Sequence, residues 1–269
     1  MARACARPAL LLLLLALPSA AAAPDFELQA SDSHSTGEPA KITATVLKGA
    51  GEQPGAPPSG AKPSPNAYMA LISNAAPHFR SFGPLGGDPC GVRTKTSVTA
   101  KAHDCRFATN AGPFNMATGA CDGGVFISDG KVLGSGGFGG MFGVTREGQW
   151  VIGTLDNATV ARLGVAHAVN AFSWLVRNGS SVVTKKGGEI APRTTIGTTK
   201  DGKLLVLEVD GCEPATGADG NVDGHASGHC KYKLGRTLYD MAQMLVEHGA
   251  YNAINLDGGG SSTVYANGR

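Results

Sequence analysis

Short apolar runs follow one another along most of this chain, and each is cut from the next by a glycine placed after a turn-forming residue. Asp129-Gly130, Glu147-Gly148, Asn178-Gly179 and Asp201-Gly202 all stand between such runs. Dipeptides of this kind close β-hairpins, so the middle of the chain predicts a β-rich, largely antiparallel sheet. "YMALIS", from Tyr68, reads as the first strand of the globular part, and "ITATVLKG" before it as an edge strand. The period changes once. In "GRTLYDMAQMLVEHGAYN" the residues Leu238, Met241, Ala242, Leu245 and Val246 fall on one helical face, with Thr237 placed to cap the start and Gly249 the end. Met241 and Met244 read as core filling. "NAINL" follows as another strand. The expected fold class is therefore α+β: a mixed, largely antiparallel sheet with hairpins and at least one packed crossover helix.

Two stretches break this pattern. Residues 1–23 combine Arg3 and Arg7, an apolar run from Ala9 to Leu17 and small residues up to Ala23, the layout of a secretory signal peptide. No apolar run is long enough to cross a bilayer comfortably. From Gly49 to Asn66 the sequence "GAGEQPGAPPSGAKPSPN" has almost nothing to bury and reads as a linker or exposed loop. The expected organisation is a signal peptide over 1–23, an extension with linker over 24–66, and one domain over 67–269.

Charge narrows the function. The signal peptide carries two of the 23 basic residues, leaving 21 against 21 acids, so neither nucleic acid nor an anionic membrane surface is an expected partner. The secretory route makes disulfides the default for Cys90, Cys105, Cys121, Cys212 and Cys230, an odd number. None has C-x-x-C spacing, so a metal cluster is not expected. Asn157 and Asn178 open N-x-S/T glycosylation sequons.

The candidate chemistry lies near the end of the chain. With Asp201-Gly202 as a two-residue loop, Lys200 faces Lys203 and Arg193 is expected opposite Asp210. The strand ending at Val209, the helix and "NAINL" form a crossover that sets both strands in one direction, so Asp210 and Asp257 leave at the same edge. Gly258, Gly259 and Gly260 follow Asp257 and permit close backbone approach. Two carboxylates, a guanidinium and glycine amides suit a substrate carrying both a sugar and a phosphate. The same residues also fit a structural Arg193–Asp210 ion pair beneath a plain turn.

Five blocks, "CRFATNAGPFNMATGAC", "FGVTREGQWVIGTL", "FSWLVRNGS", "RTTIGTTKDGKLLVLEVDG" and "NAINLDGGGSSTVYANG", occur in the order in which they resemble the phosphodiester glycosidase family. The resemblance spans about residues 66–269 and implies that family's domain. It implies a hydrolase that removes N-acetylglucosamine from a GlcNAc-1-phospho-sugar diester, as in uncovering mannose 6-phosphate on glycoproteins, without a cofactor. It places Asp257, Asp210 and Arg193 in catalytic positions. Asn110, Gly112, Thr195, Gly258, Gly259, Gly260, Ser261 and Ser262 fall in substrate-binding ones. The expected compartment is the secretory pathway: Golgi, lysosomal or extracellular.

Three departures qualify the transfer. Pro113 stands where the family usually has an aromatic residue; "CEPATGADGNVDGHASGHCKYK" is inserted after Gly211; and relatives continue beyond Arg269. On that comparison Cys90 pairs with Cys121 and Cys212 with Cys230, leaving Cys105 for a partner past residue 269. In the insertion Asp219, Asn221 and Asp223 alternate as in calcium loops, but Cys230 occupies position twelve, where a bidentate Glu is needed; a complete EF-hand is excluded, no metal site is expected, and the three residues stand only as a weak calcium candidate. Two other readings remain open from sequence: a glycosidase acting on exopolysaccharide or another glycan diester, and a secreted, non-catalytic glycan-binding module.

Overall fold

The structure is a computed structural model, and it describes residues 25–33, 37–48, 66–84, 91–121, 124–134, 139–212 and 233–268. The expected signal peptide, most of the linker, Cys90, and all but the two ends of the insertion, with Asp219, Asn221, Asp223 and Cys230, lie outside them.

The first half of the chain forms β1 (Asp25–Gln29), β2 (Lys41–Leu47), β3 (Ala67–Ser73), α1 (Thr96–Ala102), β4 (Phe107–Thr109), β5 (Phe126–Ser128) and β6 (Lys131–Gly134). Next come β7 (Gly140–Thr145), β8 (Trp150–Thr154), α2 (Asn157–Leu163), β9 (Val165–Ala171), β10 (Ser173–Arg177) and β11 (Ser180–Ser181). The last part holds β12 (Arg193–Thr199), β13 (Leu204–Val209), α3 (Leu238–Glu247), β14 (Ala250–Asn255) and β15 (Val264–Ala266). One sheet has six strands in the order β1-β8-β7-β9-β5-β6; a second has seven, β11-β10-β14-β12-β13-β3-β2; β15 and β4 form a separate pair.

Strand alternation explains how these layers stack. Ile196, Val206, Leu204 and Ile254 point from the seven-stranded sheet toward Phe142, Trp150, Ile152 and Phe126 of the six-stranded sheet, giving a shared buried core. Their neighbours Leu205, Leu207, Ala253 and Leu175 point the other way and pack under Met241, Ala242 and Leu245 of α3. α3 begins with a full capping box between Thr237 and Asp240. Two seven-residue helices add to the single one read from sequence; α2 is capped by Asp156, whose side chain accepts from the Thr159 amide, and ends at Gly164 in the left-handed region.

Every strand ladder among the described residues is antiparallel. β13 and β14 do run in the same direction, but they do not touch: each pairs with β12, which lies between them. Asn178-Gly179 and Asp129-Gly130 make two-residue turns, with positive φ at both positions of each. Asp201-Gly202 does not. Only Gly202 takes positive φ there, and the loop contains three residues, Lys200 to Gly202. Asp201 is held back by its own side chain, which accepts at 2.5 Å from both Thr199 Oγ1 and Lys203 Nζ. The extra loop residue moves the register by one, so Arg193 faces Val209 rather than Asp210.

Cys121 and Cys212 each take part in a separate disulfide, and Cys105 is a free thiol. Both sequon asparagines, Asn157 and Asn178, are exposed.

A buried clasp fixes Ser81 to the six-stranded sheet. The Ser81 hydroxyl donates to the Ile127 carbonyl and lies 3.4 Å from His167 Nδ1, while His167 Nε2 stands 3.3 Å from Asp129 Oδ1. The order Ser-His-Asp has the composition of a nucleophile triad. Here, however, the seryl proton is committed to a carbonyl, and both Ser81 and His167 are buried. The Asp129 and Ser81 amides point at Nδ1, so the imidazole is neutral with its proton on Nε2. Burial, aided by Arg80 and opposed by Asp129, lowers its pKa from 6.5. A depressed histidine favours folding fully above the unfolded pKa and less as pH falls through it. The melting temperature should therefore drop on going from pH 7.5 to pH 5, and His167→Gln should remove part of that drop; identical pH slopes in the two proteins would refute the assignment.

Candidate active site

The edge where β13 and β14 end is built around one amide side chain. Asn110 follows β4; its Nδ2 donates to the Asp257 carbonyl at 2.9 Å, and its Oδ1 accepts from Thr194 Oγ1 at 2.9 Å and from the Thr263 amide at 3.1 Å. Backbone bonds reinforce the join, with Asp257 N to Ala111 O at 3.2 Å and Leu256 N to Thr194 O at 2.9 Å. The ends of β4, β12 and β14 thus meet at Asn110, which spends its amide on holding them. The next residues need a glycine: a Cβ on Gly112 would lie 2.0 Å from the Asn170 carbonyl oxygen. Asn170, on β9, fixes the same loop by donating to the Pro113 carbonyl at 2.7 Å.

Asp257 opens the glycine segment. Its Oδ1 accepts from the Gly258 amide at 3.0 Å, and the Ser261 side chain also bonds the carboxylate. Burial nevertheless wins, and the carboxyl titrates above its ordinary value of 3.8. Gly258 is required because a Cβ there would meet the Pro192 carbonyl oxygen at 2.8 Å. The Gly259 amide donates to that same carbonyl, and the Ser261 and Ser262 amides close a 3-10 turn onto Gly258 and Gly259. The expectation of a row of outward glycine amides therefore needs correction. Gly258 and Gly259 donate inward, and Gly260, exposed at the loop tip, is the glycine whose amide carries no such bond among the described residues.

Arg193 leans on this loop, its Cδ and Nη1 being 3.6 and 3.7 Å from the position of a Cβ on Gly258. Its side chain is only 12% exposed. Nε donates to the Arg236 carbonyl at 3.3 Å and Nη2 to the Glu189 carbonyl at 2.9 Å, with the Glu189 carboxylate 3.8 Å away. Asp210 lies one residue past the end of β13, exposed to solvent, and its Oδ1 accepts from the Gly211 amide. Thr195 is not brought to the site. Alternation turns it to the α3 side, where it is fully buried and donates to the Leu207 carbonyl. Its neighbour Thr194 takes the site-facing position.

A cavity of about 1350 Å³ opens beside this edge. Asn110, Gly112 and Asp257 through Ser261 contribute to its wall, and Ile196 and Val206 to its floor. Ser262 has a buried hydroxyl with no partner among the described residues. Two participants escaped the sequence reading, Thr194 and Asn170; Glu208, buried on the same face of β13 as Val206, does not line the cavity.

Residues 103–269 match the model of the family described as Phosphodiester glycosidase. The human N-acetylglucosamine-1-phosphodiester alpha-N-acetylglucosaminidase is 32% identical over 227 residues, covering 75% of this chain and 41% of its own. The mouse protein of the same name is 29% identical over 276 residues, covering 86% and 49%. This chain thus spans less than half the length of these relatives. Among solved structures, the zebrafish catalytic domain of that name, described as auto-inhibited by its pro-peptide, superposes with a TM-score of 0.69 at 27% identity. That match covers 90% of this chain and 78% of the other.

The contact between Gly112 and Asn170 gives a test of the edge itself. Gly112→Ala should force the loop away from β9 and destabilise the fold by about 1–3 kcal/mol, read as a lower melting temperature. An unchanged melt would show that the loop withdraws freely and does not depend on this contact.

Proposed function

Because this chain belongs to the phosphodiester glycosidase family, we propose that it hydrolyses the bond between N-acetylglucosamine and phosphate in a GlcNAc-1-phospho-sugar diester. The substrate in this reading is a glycan or glycoprotein met in the secretory pathway, the diester being of the kind that covers mannose 6-phosphate. The supporting observation is Asp257: a carboxylate in the wall of a large cavity, fixed by Gly258 and Ser261, at the end of a strand welded to its neighbours through Asn110.

Environment ranks the two aspartates. Asp257 is enclosed and Asp210 is open to solvent, so Asp257 is the group that attacks the anomeric carbon or takes a proton from the attacking water. The C1–O bond breaks and its electron pair stays on the phosphate oxygen. In the water route, the water proton passes to Asp257 and then to solvent; in the direct route the glycosyl ester formed on Asp257 is cleaved by water, which frees N-acetylglucosamine and restores the carboxylate. Arg193, packed against the glycine loop, offers positive charge toward the phosphate. Asp210, exposed at the same strand edge but outside the cavity lining, is assigned to orienting the second sugar.

Asp257→Asn keeps the shape and the Gly258 contact but loses the basic oxygen. Release of N-acetylglucosamine from α-GlcNAc-1-phospho-6-mannose should fall by about 10²–10⁴ in kcat, with the melting temperature near that of the wild type. A folded variant that keeps most of its turnover would remove Asp257 from the chemistry. In the wild type, activity should decline on the acid side, because protonation silences the base and burial has moved that protonation above the ordinary carboxylate value.

A further inference from the structure

Arg193 packs against the glycine loop but is not one of the residues lining the cavity. The cations that do line it are Arg80, Arg93, Lys95 and Arg106, against the acids Asp104 and Asp257. In a chain whose charges nearly balance, a cleft with this excess focuses a positive field on its interior. Cleavage of the diester gives one neutral half, N-acetylglucosamine, and one half that keeps the phosphate. The basic part of the wall therefore suits the second half.

Arg93 is distinguished among the four by its neighbour. Its guanidinium carbon stands over the Phe114 ring, 5.7 Å from the centroid, close enough for a cation–π contact. Phe114 lines the same cavity and is 36% exposed. The backbone on both sides of it is pinned. Before it, Asn170 holds the Pro113 carbonyl, and Gly112 is pressed against Asn170. After it, the Asn115 amide donates to the Ala120 carbonyl at 3.0 Å, and Asn115 Oδ1 accepts from the Ala117 and Thr118 amides at 2.9 and 3.2 Å. Gly119 closes this turn at positive φ and packs on Gly91, whose carbonyl oxygen would lie 3.3 Å from an added Cβ. The stretch that bears Arg93 is thus joined to the turn that follows Phe114. An aromatic ring held so firmly, yet open to the cavity, is a pre-organised binding surface rather than core filling.

The two side chains supply complementary chemistry. A guanidinium can take two phosphate oxygens at once. The face of an aromatic ring is electron-rich, and the polarised C–H bonds on one face of a pyranose meet it favourably. We propose that Arg93 and Phe114 form the subsite for the phosphate-bearing half of the substrate, Arg93 binding the phosphoryl oxygens and Phe114 stacking on the sugar that carries them. The inference rests on the glycosyl phosphodiester reading above. Stacking uses a face of that sugar and leaves its hydroxyl edge for the polar contact assigned to Asp210. Because the subsite recognises the half that survives cleavage with its phosphate, it also binds the released sugar phosphate.

The deciding experiment measures hydrolysis of α-GlcNAc-1-phospho-6-mannose by the wild type, Arg93→Gln and Phe114→Ala, with mannose 6-phosphate and free N-acetylglucosamine as separate inhibitors. Both side chains are exposed, so both variants should melt like the wild type. Arg93→Gln should raise KM and weaken inhibition by mannose 6-phosphate about 10- to 100-fold. Phe114→Ala should do the same by about 3- to 10-fold. Inhibition by N-acetylglucosamine should keep its wild-type strength in both. Added salt should relieve mannose 6-phosphate inhibition of the wild type more than that of Arg93→Gln, because an exposed ion pair is screened. Unchanged mannose 6-phosphate inhibition in the variants, or N-acetylglucosamine inhibition weakened as much, overturns the proposal while the functional reading stands. A folded wild type that does not hydrolyse the diester overturns the functional reading and this inference with it.

Discussion

β12 is paired on both sides, and that double pairing decides where everything else lies. Because β13 and β14 are each antiparallel to it, they run in one direction however long the connection between them, and both release their chains at the start of β12. Gly197 makes the arrangement possible at mid-strand. A Cβ there would lie 2.2 Å from the Asn252 carbonyl oxygen and 2.6 Å from the Ala253 Cβ, so any other residue would push β14 away. Backbone groups inside a sandwich must find partners, and this pairing supplies them while setting a core on each face of the sheet. Asp210 and Asp257 share an edge as a consequence of topology.

Topology alone brings the residues near one another; polar side chains hold them. Asn110 bonds segments from β4, β12 and the stretch after β14, and Asn170 reaches from the other sheet to carry Pro113. The site consequently straddles both layers of the sandwich. A group held from several rigid strands keeps its geometry better than one carried by a single loop.

The sequence was informative where one local rule dominates. The period-3.6 pattern and Thr237 located α3, and Asn178-Gly179 located its hairpin with the correct loop length, because Asn takes positive φ at small cost. It misled where side chains override such a rule. Asp201 resembles Asn178 on paper, yet its carboxylate is recruited by Thr199 and Lys203, the turn gains a residue, and the register moves by one. Arg193 was correctly placed at the edge, but its tie to Glu189 and Arg236 joins residues separated in sequence, which no local pattern encodes. The inward bonding of Gly258 and Gly259 was equally invisible, since glycine permits both outward and inward amides and only Pro192 decides between them.

The acids near this edge differ in state because they differ in surroundings. Asp210 is exposed, where water screens its charge. Asp257 is enclosed, and although Gly258 and Ser261 donate to its carboxylate, burial outweighs them and raises its pKa. Glu208 is enclosed without such donors among the described residues, and burial together with the charge of Asp210 pushes its pKa from 4.5 up to about 8. Of the two enclosed acids, one receives hydrogen bonds that oppose desolvation and the other does not, so bonding as well as depth sets how readily each gives up its charge.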